Sequence, residues 1–145
     1  NWPPLIRRSM AERFSKPHAL AARCFDMPRR SWCPDRQDMI WIDCNPQAGR
    51  EMRDPHPLVV LSPRTFNDRT GIVIGLPMTT ASYNASNPFA IPAGSARGVA
   101  SYILTHQPKS FDWRARGAKP HPMKRVDDEP FRAACAALEQ IIRIN

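Results

Sequence analysis

Met39-Ile40-Trp41-Ile42, Pro57-Leu58-Val59-Val60-Leu61 and Gly71-Ile72-Val73-Ile74-Gly75-Leu76 are short apolar runs, each bounded by Asn, Asp, Pro or Gly. Runs of this length, rich in Ile and Val and punctuated by turn residues, predict buried strands rather than helices. Weaker candidates follow at Pro88 to Ile91 and at Val99 to Thr105. About five strands at short spacing predict a mainly β (α+β) fold, a small antiparallel barrel or strongly bent sheet. The end of the chain changes period. Asp127-Asp128-Glu129-Pro130 places acids at a helix start and Pro in its first turn, and Phe131, Ala134, Cys135, Leu138, Ile141 and Ile142 recur at helical spacing. A C-terminal amphipathic helix is expected to close the barrel.

Ahead of these strands the chain has another character. Residues 1–37 carry eight basic against three acidic residues, with prolines at 3, 4, 17, 28 and 34, and too few apolar residues for a core. They are expected to form a basic, loosely ordered N-terminal extension, with the folded domain spanning 38–145. The whole chain, 145 residues with a formal charge of +8, fits one domain with an anionic partner. Nothing approaches the roughly 18 consecutive apolar residues of a membrane span, and the start lacks the order of a secretory signal, so a cytoplasmic protein is expected. Cys24, Cys33, Cys44 and Cys135 show no CxxC pairing. Neither a zinc site nor a disulfide framework is indicated, and Cys44 and Cys135, lying within apolar segments, are read as reduced, buried thiols.

Three polar segments carry candidate chemistry. The stretch Asn45 to Pro57 is far longer than the two to five residues typical of a hairpin and holds Arg50, Glu51, Arg53 and His56: a base, an acid and phosphate-seeking cations close together. A solvated surface loop is its plainer reading. Pro77-Met78-Thr79-Thr80 places two hydroxyls where the most apolar strand emerges, able to bind an oxyanion or to cap the strand end. Gln107-Pro108-Lys109-Ser110-Phe111-Asp112-Trp113-Arg114-Ala115-Arg116 alternates cations with aromatics, as expected where bases stack and phosphates are neutralised. A structural ion pair of Asp112 with Arg114 or Arg116, with Trp113 in the core, is the alternative.

Taken in order, Ile40-Trp41-Ile42-Asp43 with Asn45-Pro46, Gly49-Arg50-Glu51, Pro57 to Pro63, Phe66 to Gly71, Pro77-Met78-Thr79-Thr80, Pro88-Phe89 and Lys109 to Arg116 resemble the MazF/PemK family of toxin ribonucleases. The likeness covers Asp38 to Asn145. It implies an SH3-like antiparallel barrel with a C-terminal helix, acting as a homodimer whose groove takes single-stranded RNA. It also implies a cofactor-free, metal-independent, sequence-specific endoribonuclease that leaves 2′,3′-cyclic phosphate and 5′-hydroxyl ends, inhibits translation and growth, and is paired with a cognate antitoxin protein. In such families an Arg before the proline of the second strand and a Thr at the end of the third carry most of the chemistry.

Thr79 matches the Thr, whereas His56 stands at the Arg position. Arg is a permanently charged planar fork; His, with an ordinary pKa near 6.5, transfers protons better and clamps phosphate worse. The resemblance therefore assigns catalysis to His56 and Thr79 with Glu51 as an orienting acid, and RNA binding to Arg50, Arg53, Thr80, Lys109, Arg114 and Arg116. His106, on an adjoining strand, either shares acid–base work or is a surface residue. Pro108 cannot donate a ladder hydrogen bond, so its strand is expected to lie at an edge or to end there. Two competing readings are a CcdB-like toxin that binds a protein such as DNA gyrase and cleaves nothing, and a catalytically impaired member that binds antitoxin.

Overall fold

The computed structural model describes residues 31–144, and its compact unit begins at Cys33. Seven strands occur in the order β1 (Asp38–Asp43), β2 (Pro55–Val60), β3 (Ile72–Thr79), β4 (Ala90–Ala96), β5 (Val99–Leu104), β6 (Lys109–Asp112) and β7 (Lys119–Arg125). A short helix, α1 (Arg64–Thr70), precedes β3, a 3-10 turn (Ser82–Ser86) follows it, and α2 (Asp128–Ile141) ends the fold. Every pairing is antiparallel, in the order β4-β5-β3-β2-β1-β7, with β6 branching from β3. This is the expected barrel-like curled sheet with a C-terminal helix.

The curl originates in β3. Its residues 72–75 pair with β6 along one edge, and Met78 and Thr79 then pair with β5 along the same edge. Because β3 changes partner midway, the sheet bends around it and both faces become buried. Ile40, Ile42, Leu58, Val60, Val73, Phe111 and Trp113 face one cluster, and Met39, Val59, Leu76, Met78 and Ile103 the other. Alternation along β1 and β2 sends successive residues to opposite clusters, which is why these runs read as continuously apolar. Gly75 sits at the branch. A Cβ there would lie 2.9 Å from the Leu58 side chain and closer still to the Val59 carbonyl, so only glycine lets β2 and β3 approach this closely.

β6, β7 and α1 were not anticipated from the apolar pattern, since each is short or mostly exposed. β7 carries Pro120 and Pro122 and β4 carries Pro92; both are edge strands, where a missing N–H costs least. Pro108 lies just before β6 begins, at a strand end as its chemistry requires. α2 packs Phe131 and Ala134 into the second cluster, with Cys135 and Leu138 partly buried against it. Ile141 and Ile142, expected on the same buried face, are instead 44% and 42% exposed, because the helix ends at Ile141.

The folded unit also starts earlier than Asp38. Cys33 and Pro34 are buried, the Gln37 N–H donates to the Val60 carbonyl at 2.7 Å, and the Asp35 carboxylate accepts the Arg64 N–H at 2.9 Å. Buried Asn67 donates to the Pro34 carbonyl at 2.8 Å and to the Ser62 carbonyl at 3.0 Å. A short apolar stretch tied by polar bonds leaves no periodic signal. The expected extension up to residue 30 lies outside the described residues. Cys33 and Cys44 are buried free thiols, raised above the ordinary thiol range chiefly by burial, while Cys135 is only half-buried.

Candidate functional site

Register builds the site. β2 and β3 pair through Leu58↔Pro77, and continuing that count brings His56 alongside Thr79 where β3 crosses to β5. Strand alternation puts both on the face of the first cluster. Lys109, opposite Gly75 in the β3–β6 ladder, shares that face with Phe111 and Val73. On that face Lys109 stands beside Gly75, four residues along β3 from Thr79 or about 13 Å at strand spacing, so the ammonium lies along the strand from the hydroxyl and the imidazole.

The stretch between β1 and β2 is fastened over the same face. Met52 packs against the first cluster, and its N–H donates to the Gln107 side-chain oxygen at 2.8 Å. The Gln107 amide nitrogen donates to the Arg50 carbonyl at 3.4 Å, and Lys109 pairs with Glu51 at 3.6 Å. At the loop's other end Arg116 donates to the Asp43 carbonyl at 2.9 Å and to the Asn45 carbonyl. Long loops need such ties, since their own sequence provides no ladder.

The hydrogen bonds define what each group can do. The Thr79 hydroxyl accepts the Ala81 N–H at 3.2 Å, which leaves its own proton to donate outward. His56 is half-buried, and its Nδ1 lies 3.4 Å from the Asp54 carbonyl, an arrangement that favours the proton on Nδ1 and a lone pair on Nε2. His56, Thr79 and the exposed Thr80 also border a cleft of about 440 Å³ that opens on the other side of the strand ends, against Trp41, Pro57 and Met78.

Other expected site residues serve elsewhere. Arg114 lies 4.3 Å from the centre of the Trp113 ring and pairs with Asp68 on α1 at 3.0 Å; Arg116 lies 4.2 Å from the Phe111 ring besides holding the loop. Trp113 is core, donating its indole N–H to the Asn67 carbonyl at 2.9 Å. Asp112 makes neither expected ion pair: its carboxylate accepts the Ala115 N–H at 2.9 Å and shapes the turn. Arg50 and Arg53 stand exposed on the loop, Arg53 4.0 Å from Asp54. Glu51 meets Lys109 rather than His56. His106 tilts against Phe89, 5.6 Å between ring centres, and does not border the cleft.

Sequence reading missed His121. It stacks on Trp41 with ring centres 5.2 Å apart and lines the cleft, and burial holds its imidazole below the ordinary histidine pKa. The Pro-flanked, basic segment around it gave no strand signal that would have placed it. Among the described residues no group of His, Cys, Asp and Glu is arranged to hold a metal, and no helix is long and apolar enough to cross a membrane.

A curled antiparallel sheet closed by a C-terminal helix, with polar groups gathered at strand ends beneath a tethered loop, defines a small barrel-type domain. Within that class, the chain belongs to the family of PemK-like, MazF-like toxins of type II toxin–antitoxin systems, which it matches over residues 35–142. It is 40% identical over 87 residues to the endoribonuclease toxin MazF of Escherichia coli strain K12, covering 60% of this chain and 76% of that one. It is 26% identical over 116 residues to endoribonuclease PemK of Escherichia coli, covering 79% and 86%. Among solved structures, MazF from Deinococcus radiodurans superposes with a TM-score of 0.68 at 27% identity, covering 77% of this chain and 97% of that one. The same fold recurs in a MazE–MazF structure from that organism, at a TM-score of 0.65 and 22% identity, covering 79% and 100%.

Proposed function

We propose that this chain is the toxin of a type II toxin–antitoxin pair: a cytoplasmic, homodimeric endoribonuclease that cuts single-stranded RNA at a short recognition sequence, stops translation and growth, and is restrained by an antitoxin. The observation that carries the reading is that His56 and Thr79 border one cleft, His56 near the start of β2 and Thr79 at the end of β3. The family and its endoribonuclease relatives support it.

The reaction needs no metal, because the nucleophile is the RNA's own 2′-hydroxyl. His56 Nε2 takes that proton as the 2′-oxygen attacks phosphorus, and the Thr79 O–H donates to a non-bridging oxygen as negative charge builds there. The phosphorus bond to the 5′-oxygen breaks, and that oxygen leaves as a hydroxyl by taking a proton from water. A 2′,3′-cyclic phosphate remains on the other fragment. Arg50 and Arg53, exposed on the loop, meet neighbouring phosphates, and exposed Thr80 touches a base or sugar. Arg114 and Arg116 hold α1 and the loop in place.

Mapping the ends of a defined RNA after incubation with the protein and a chelator tests this. Discrete fragments with cyclic phosphate termini are expected. Intact RNA with arrested topoisomerase would replace the reading with the CcdB-like one, and intact RNA with antitoxin binding alone would mark an impaired member, consistent with His at the family's Arg position.

A further inference from the structure

The two partners of the Glu51–Lys109 pair are held very differently. The Lys109 side chain is 17% exposed and opens a strand fixed in the β3–β6 ladder, whereas the Glu51 side chain is 52% exposed on the loop. The ammonium is the fixed member and the carboxylate the loose one. Their 3.6 Å separation is a charge contact longer than a well-formed hydrogen bond. Because the carboxylate is the exposed, loosely held member, another anion reaching the ammonium can take its place.

The other cations near this face are otherwise engaged or differently placed. Arg116 is bound to the Asp43 and Asn45 carbonyls, Arg114 reaches away to Asp68, and Arg50 and Arg53 are exposed on the loop itself. Among the described residues Lys109 therefore provides a positionally fixed charge on the β3–β6 ladder, along the strand that ends at Thr79.

We infer that Glu51 is a placeholder for an RNA backbone phosphate: Lys109 is the phosphate-binding cation of this site, and entering RNA displaces the Glu51 carboxylate from its ammonium. The inference rests on the reading that the chain acts on RNA, and it replaces the orienting role expected of Glu51 with a competitive one. No bond is made or broken; one anion takes the place of another. Among the described residues the Glu51 side chain otherwise accepts the Ala48 N–H of its own turn, at 3.2 Å, so its release leaves the Met52 to Gln107 tie in place.

An exchangeable pair and a structural pair differ in the sign of their variants. Binding of the full chain to a fluorescent single-stranded oligodeoxynucleotide, which lacks the 2′-hydroxyl and cannot be cut, is measured by anisotropy across a salt series. Lys109→Met is expected to weaken binding about tenfold and to flatten the salt slope by about 0.7, the loss of one phosphate contact on a single strand. Glu51→Gln, which keeps an acceptor for Ala48, is expected to tighten binding about threefold, and to do nothing in the Lys109→Met background. Lys109→Arg keeps wild-type affinity and covers the case in which Lys109→Met fails to fold. Weakening by both Lys109→Met and Glu51→Gln, or no change from either, overturns the exchange. Wild-type protein that cuts RNA while its variants shift together refutes the exchange alone. Opposite-signed variants in a protein that cuts nothing retain the exchange and remove the nuclease reading.

Discussion

His56 and Thr79 divide the proposed chemistry by what each can carry: a lone pair on one, a donatable proton on the other. As a general base His56 must accept a proton, so cleavage falls on acidification; His56→Arg, which puts the family's permanently charged fork at this position, is expected to remove that pH dependence while restoring the phosphate clamp, and a large loss of rate from it marks a specialised His mechanism. Rates measured across pH 5 to 8 check this; a wild-type rate equal at both ends overturns the base assignment. His121 gives a separate pH effect, on stability. Burial against Trp41 lowers its pKa in the folded state, so the unfolded chain binds the proton more readily. The stabilisation is complete above the unfolded value of about 6.5 and is lost as pH falls toward the lowered folded value. Thermal melts at pH 7 and pH 5 are expected to show a larger drop for the wild type than for His121→Phe, which stacks without titrating.

At the scale of elements, β3 organises both fold and site, because its change of partner bends the sheet and brings Thr79 to the strand end. Gly75→Ala tests this. With Leu58 2.9 Å from the new methyl group and the Val59 carbonyl nearer, β2 and β3 must separate, at a cost of about 2–3 kcal/mol, read from chemical denaturation. The central strands were legible in the sequence because both faces are buried, as at Leu58, Val59 and Val60, each wholly inaccessible. β6 and β7 were not, since Lys109-Ser110-Phe111-Asp112 buries only Phe111 and Lys119–Arg125 buries nothing fully. Alternation over one buried residue is too short to register. The same limit governs the site. His56, Thr79 and the long loop stood out from the sequence and its likeness, but the scaffold roles of Arg114 and Arg116 depend on the Asp68 side chain and the Asp43 and Asn45 carbonyls, which lie far away along the chain.

For the molecule as a whole, charge and fold separate. Residues 1–37 hold a net +5 and residues 38–145 a net +3, so most of the charge precedes residue 38. The boundary between tail and fold is nevertheless not at residue 38. Pro34 is fully buried, its carbonyl accepts the Asn67 amide, and Asp35 accepts the Arg64 N–H at the start of α1. Two truncations distinguish charge from fold. A chain beginning at Asp38 deprives buried Asn67 of a partner and uncovers the first cluster, and is expected to lose about 2–4 kcal/mol or to aggregate. A chain beginning at Ser31 retains those contacts and is expected to melt like the full protein. If it also cuts RNA at the same sites, with no more than a shallower salt dependence, then recognition resides in the face carrying His56, Thr79 and Lys109, and the basic extension contributes only non-specific attraction. Loss of cleavage in a chain that still melts normally would move recognition to the extension.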